Sequence, residues 1–218
     1  MIDVDLALRR VEGAVEAYPK AGLFELAEEG FRSPFEILTA CMISIRTKDE
    51  TLMPIARRLF GQARSPTEMA DLSVATIGEL IQGCAFAARK AEQIHDIARF
   101  LSEHYRGELP CSRDLMLSFK GVGPKCANLA LGIACGEPPS IPVDVHVHRI
   151  VNRWGYVDTS SPERTMAELE AKLPREHWLA INRLLVPFGK HVCTSQRPRC
   201  SDCPLAAMCP QIGVERPA

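Results

Sequence analysis

The sequence predicts an all-α protein, and three observations carry that expectation. Strand-like alternation of apolar and polar residues is nearly absent. Helix-start signals recur along the chain: Ser33-Pro34-Phe35-Glu36 and Ser65-Pro66-Thr67-Glu68 are capping boxes with proline at the first helical position. Apolar residues then follow at helical rather than extended spacing, as in Ala91, Ile94, Ile97, Ala98 and Leu101.

Taken in order, roughly ten short helices are expected. Phe35 to Ile45 follows the first box. Thr47-Lys48-Asp49-Glu50 and Thr76-Ile77-Gly78-Glu79 read as further boxes on either side of the one at Ser65. The stretch around Ala91 to Leu101 stops at Gly107. Ser112 caps a short helix through Ser118, Pro124 opens one ending near Gly136, and Asp144 caps one running to Trp154. Ser161-Pro162 starts the next, and His177 to Phe188 is a last amphipathic stretch. Gly136-Glu137-Pro138-Pro139-Ser140 is the clearest internal break and marks a change of domain.

Bulk properties exclude more than they assign. The chain has 218 residues, enough for one large domain or two small ones. The longest apolar candidate, Ile37 to Ile45, is interrupted by Thr39 and Ser44 and falls short of the ~18 residues a membrane span needs. The opening Met-Ile-Asp-Val-Asp has no basic head before an apolar stretch, so no secretory signal and a cytoplasmic location are expected. Nothing points to an oligomer, and a monomer is expected. Net charge is −1, so any nucleic-acid surface must come from uneven placement of charge.

Four constellations bear chemistry. In Phe119-Lys120-Gly121-Val122-Gly123-Pro124-Lys125 a helix ends, two glycines make a tight turn, and proline starts a new helix. Glycines admit close backbone approach, and a helix start is positively polarised, so the turn is suited to phosphate; it is equally a plain connection when taken alone. Lys125 falls in the first turn of that new helix. A lysine is out of place at the positive end, and partial burial lowers its pKa further; the neutral amine is a nucleophile for a sugar carbon. Contact with phosphate is the simpler role for a single lysine. Asp144 stands nineteen residues on, in Pro142-Val143-Asp144-Val145-His146-Val147-His148-Arg149. A cap is its ordinary role, and capping keeps it ionised, ready to take a proton or stabilise positive charge on a sugar. His146 and His148, at i and i+2, fall on different sides of a helix and read as cap or backbone partners, not metal ligands. Of nine cysteines, five are scattered, while Cys193, Cys200, Cys203 and Cys209 crowd into seventeen residues. In a reducing compartment that is a metal site, suited to zinc or to an iron–sulfur cluster.

The hairpin at 121–125, the Val143–Arg149 segment and the C-x6-C-x2-C-x5-C tail occur in the order found in endonuclease III, and the chain resembles that iron–sulfur branch of the helix–hairpin–helix glycosylases. Ser33 to Leu38 and Ser44 to Asp49 resemble its early helices, so the likeness covers nearly the whole chain. It implies two helical domains flanking a DNA groove: a six-helix barrel at 27–137 with the hairpin, and a terminal domain at 1–26 and 138–218 holding a structural [4Fe–4S] cluster on Cys193, Cys200, Cys203 and Cys209. By the same resemblance, Lys125 is the nucleophile and Asp144 the catalytic carboxylate. Lys120, Gly121, Val122 and Gly123 meet the DNA backbone, as do Arg197 and Arg199 from the loop between the first two cysteines. The implied partner is double-stranded DNA with damaged bases or abasic sites, the implied reaction removal of oxidised pyrimidines followed by strand cleavage through a Schiff base and β-elimination.

Three positions depart from the family pattern. Its usual glutamine in Ser-x-Gln, which fills the gap left by a flipped base, is Arg46 in Ser44-Ile45-Arg46. Its second gap-filling loop is Ala85-Phe86-Ala87-Ala88, where Phe86 can still act as a wedge. Lys120 replaces the usual proline before the hairpin. These changes leave the chemistry intact and alter lesion recognition. A lyase of narrowed lesion range, a non-catalytic DNA-binding protein and an iron–sulfur electron carrier are the alternatives.

Overall fold

A computed structural model describes residues 2–136 and 138–217. Among them stand twelve α-helices, a 3₁₀ turn at Arg175–His177 and no strand. Ten of the helices answer to the start signals above. The two that local signals did not reveal are α1 (Val4–Val15), capped by the Asp3 side chain, and α2 (Gly22–Glu28), only two turns long. No helix is long and apolar enough to cross a membrane.

The chain divides into two compact units, Met1–Ala21 with Ser140–Ala218, and Gly22–Pro139. The reading from sequence placed the changeovers at 26/27 and 137/138; α2 falls in the continuous unit because it packs on α3 and α4. Of the break at 136–140, Glu137 lies outside the described residues.

The continuous unit is built around α3 (Pro34–Ser44), in which every residue from Phe35 to Ile43 is buried. A helix apolar all round must be enclosed, and α3 packs chiefly on α9 (Pro124–Cys135), with α2, α4 (Asp49–Phe60) and α7 (Ala87–Tyr105) around it. The Ser33 capping box forms in full. Its Glu36 is buried and paired with Arg64 at 2.7 Å, which offsets the cost of burying the carboxylate. The Ser65 box also forms, opening α5 (Pro66–Ala70).

Two expected boxes do not form. Helix α6 (Val74–Leu80) starts one turn earlier than expected, on Ser73, which caps the Thr76 amide. Helix α4 is capped at Lys48 with no side-chain bond, because the Thr47 hydroxyl accepts the Ala85 amide instead. Helix α7 ends on Arg106 in the left-handed conformation, with Gly107 following it. Helix α8 (Arg113–Ser118) then leads to the hairpin and α9. Cys111 and Cys135, two of the scattered cysteines, form a disulfide between the loop before α8 and the end of α9. Their separation of 24 residues gave no sequence signal for the pairing.

The two-ended unit packs α1 and α10 (Val145–Arg153) on α12 (Ala180–His191), with α11 (Pro162–Lys172) beside α10. Trp154, Phe188, Ile150, Leu8 and Val11 share its core. Buried Asn182 donates to the Pro142 carbonyl at 2.9 Å, fixing the segment that leads into α10.

Candidate functional site

In the continuous unit the hairpin joins α8 to α9. The Val122 amide donates to the Phe119 carbonyl at 3.1 Å, and buried Val122 anchors the turn. Gly121 has φ +91°, and a Cβ there would stand 2.6 Å from Gln93 Oε1, so both backbone and packing demand glycine. Lys120 is exposed beside it. Gly123 is the N-cap of α9, with Pro124 at the first position and no side-chain cap. Lys125 follows half-buried in the first turn, at the positive end of the helix. The hairpin residues expected from sequence thus stand together, with the lysine on the first turn beyond them. Cys126, next in line, is buried, and Cys41 Sγ on α3 lies 2.7 Å from its Sγ as a hydrogen-bond donor. That bond and burial push the Cys126 thiol well above its ordinary pKa.

Arg46 and Phe86, expected from separate loops, lie side by side in the same unit. Both are exposed, Phe86 by 58% despite its apolar ring. Both adopt left-handed backbone, φ 56° and 60°. The Arg46 guanidinium lies 5.7 Å from the centre of the Phe86 ring, a cation–π arrangement.

Sequence reading missed two residues behind these loops. Gln93, buried on α7, backs Gly121. Lys90 is buried and donates to the carbonyls of Ile43 and Ile45. The available signal was position: Lys90, Ile94, Ile97 and Leu101 fall on one helical stripe, and the last three are core residues.

In the two-ended unit Asp144 is the N-cap of α10. Its Oδ1 accepts the amides of His146 and Val147, both at 2.9 Å. The carboxylate is half-buried and held in one orientation. The two histidines diverge, and the His146 amide is one of the two cap partners of Asp144. His146 Nδ1 faces the Arg149 guanidinium at 3.2 Å, and His148 Nδ1 meets Thr165 Oγ1 at 2.6 Å.

Cys193, Cys200, Cys203 and Cys209 line one cavity with Arg153 and Phe188. Burial raises the thiols of Cys200, Cys203 and Cys209, that of Cys203 to about 11. Among the described residues, no three His, Cys, Asp or Glu side chains converge on a position for a single metal ion. Two arginines of α10 hold the start of this loop. Arg153 donates to Cys193 Sγ at 3.4 Å and to the carbonyls of Thr194 and Ser195 at 2.6 and 2.8 Å. Arg149 donates to the carbonyls of Gly189 and Cys193, both at 2.9 Å. Arg197 and Arg199 are exposed on the loop so held.

An all-helical chain with a glycine hairpin feeding an uncapped helix defines a helix–hairpin–helix protein, and the sequence model of the HhH-GPD superfamily of base excision DNA repair proteins matches residues 39–175. Endonuclease III of Thermotoga maritima is 39% identical over 176 residues, covering 81% of this chain and 82% of that protein. Endonuclease III homolog 1, chloroplastic, of Arabidopsis thaliana is 42% identical over 184 residues, covering 81% of this chain and 48% of that protein. The chain therefore spans about half the length of the plant relative. Endonuclease III in a non-covalent DNA complex superimposes with a TM-score of 0.82 at 28% identity, over 95% of this chain and 94% of that one. The chain belongs to the endonuclease III family.

Proposed function

We propose that the chain is a base-excision repair DNA glycosylase that removes oxidised pyrimidines and cleaves the resulting abasic site, acting on double-stranded DNA as a cytoplasmic monomer. The observation that carries this is Lys125 in the first turn of α9, directly beyond a glycine hairpin whose helix has no side-chain cap. The hairpin supplies a phosphate grip, and Lys125 supplies an amine that can serve as nucleophile.

The target nucleotide must leave the stack before its sugar carbon can be reached. Arg46 and Phe86 fill the gap it leaves, and Arg197 and Arg199 hold the backbone. The Lys125 amine then forms a bond to the sugar C1′ while the bond from C1′ to the base breaks. The base leaves with a proton taken from solvent, and the ring opens to an iminium on Lys125 as O4′ takes the proton lost from the attacking amine. Asp144, held in one orientation by the two amides it caps, stabilises positive charge on the sugar. Loss of a proton from C2′ expels the 3′ phosphate and cuts the strand.

The four cysteines fit an iron–sulfur cluster by the chemistry of their donors. They line one apolar cavity, and Arg153 offers an N–H to one sulfur. Cys193, Cys200, Cys203 and Cys209 would hold the cluster, which supplies structural cross-linking of the loop that bears Arg197 and Arg199.

Borohydride trapping on a duplex with one oxidised thymine, beside an abasic duplex and Lys125→Ala, tests the proposal. A covalent complex on both duplexes, lost in the variant, is expected. Trapping on the abasic duplex alone would favour a lyase of narrowed or shifted lesion range, a reading supported by the changed residues Arg46 and Phe86. No trapping from protein that still binds DNA would sink the lyase chemistry.

A further inference from the structure

Lys90 does more than fill a place in the core, and the inference rests on the reading of Arg46 and Phe86 as the residues that enter the duplex. Three bonds meet at this residue. Its backbone amide donates to the Phe86 carbonyl at 3.0 Å. Its ammonium donates to the carbonyls of Ile43 and Ile45, both at 2.8 Å. Those carbonyls belong to the C-terminal end of α3, where helical acceptors lack intrahelical partners and the dipole favours a cation. Ile45 immediately precedes Arg46. One residue therefore grips the chain next to Arg46 and at Phe86 itself.

Arg46, next to the gripped Ile45, and Phe86 are both in a backbone conformation that costs a non-glycine residue of order 1–3 kcal/mol and persists only where the surroundings over-determine it. The ties at these loops include the Lys90 bonds, the bond from the Ala85 amide to Thr47 Oγ1 at 3.2 Å, the bond from the Thr47 amide to the Ser44 carbonyl at 2.9 Å across Arg46, and the guanidinium over the ring. Lys90 is 5% exposed, so its ammonium has little water to turn to, and its bonds to the two carbonyls replace that hydration.

We propose that Lys90 is a positioning residue for lesion recognition: it holds Arg46 and Phe86 as one preassembled wedge, and thereby sets which base opposite the lesion is accepted. Arg46 carries only donors. Guanine offers O6 and N7 as acceptors, whereas adenine places a donor where guanine has O6. A fixed guanidinium distinguishes the two; a loose one does not.

Single-turnover excision from duplexes with one oxidised pyrimidine opposite each of the four bases, using the cluster-loaded protein, tests this. Lys90→Met keeps the stem and removes the ammonium. The expected result is a roughly tenfold fall in the preference for guanine over adenine, within the range one bidentate base contact supplies. The fall should approach that of Arg46→Ala, with partial recovery in Lys90→Arg. A Lys90→Met protein that melts lower but keeps the wild-type spread across opposite bases would overturn the proposal and leave Lys90 a plain helix cap. If Lys90→Met does not fold, Thr47→Val removes the other tie and must move the spread in the same direction by less; an unchanged spread overturns the proposal equally. Failure of the underlying reading looks different. Arg46→Ala would then match wild type opposite every base, while Lys125 still traps on the abasic duplex, and the proposal falls with that reading.

Discussion

Helix α9 begins on a glycine and α10 on an aspartate, and the difference assigns the two helices their work. At α9 the backbone turns through Gly121, Gly123 carries no side chain, and the positive end is left to whatever anion approaches. At α10 the same kind of end is closed by the protein's own carboxylate. Closing it serves the carboxylate as much as the helix, because two amides fix the orientation of Asp144. On the proposed function, an open start is the one left to receive the backbone of a polyanion, and a closed start the one that holds a carboxylate in place.

The largest effect expected from that contrast is at Asp144. Asparagine caps a helix as well as aspartate does, so Asp144→Asn should leave thermal melting nearly unchanged while base excision falls by about 10²–10⁴-fold. Excision close to wild type would reduce Asp144 to a cap. Gly121→Ala comes next. It forces a Cβ against Gln93 at positive φ and should cost about 1–3 kcal/mol in denaturant unfolding, with weaker DNA binding. A neutral result would mean that Gln93 swings aside freely. Gly123→Asp closes α9 in the manner of α10. Nothing lies within 4 Å of a Cβ there, so stability should hold or rise by a few tenths of a kcal/mol. Binding to an undamaged duplex should nonetheless weaken by roughly tenfold or more, because a carboxylate would face phosphate. Unaltered binding would show that the end of α9 does not meet the backbone. The smallest change belongs to Arg197→Ala, which should lower the slope of log affinity against log salt by about 1 and leave the single-turnover rate untouched.

Legibility from sequence followed how local each cause was. The boxes at Ser33 and Ser65 were readable because cap and partner lie three residues apart. Thr47 was misread because its hydroxyl is engaged by an amide 38 residues away, and Thr76 because Ser73 offers the same cap one turn sooner. At the site, residue types and order marked Lys125, Asp144 and the four cysteines. What supports them was hidden in long-range packing. A lysine is read as exposed unless a tertiary partner is known, so Lys90 and its α3 carbonyls stayed out of view. Nothing near Cys111 announces Cys135.

The split of the chain also orders its assembly in time. Residues 22–139 form a unit without help from later sequence, so that unit can fold while synthesis continues. The other unit needs α1 to wait for α12 and for the loop at 193–209, which follow it in the chain. Helix α1, with an apolar face, is thus left without these partners until the later sequence emerges. The unit that carries Lys125 is settled before the unit that carries Asp144 and the four cysteines can close.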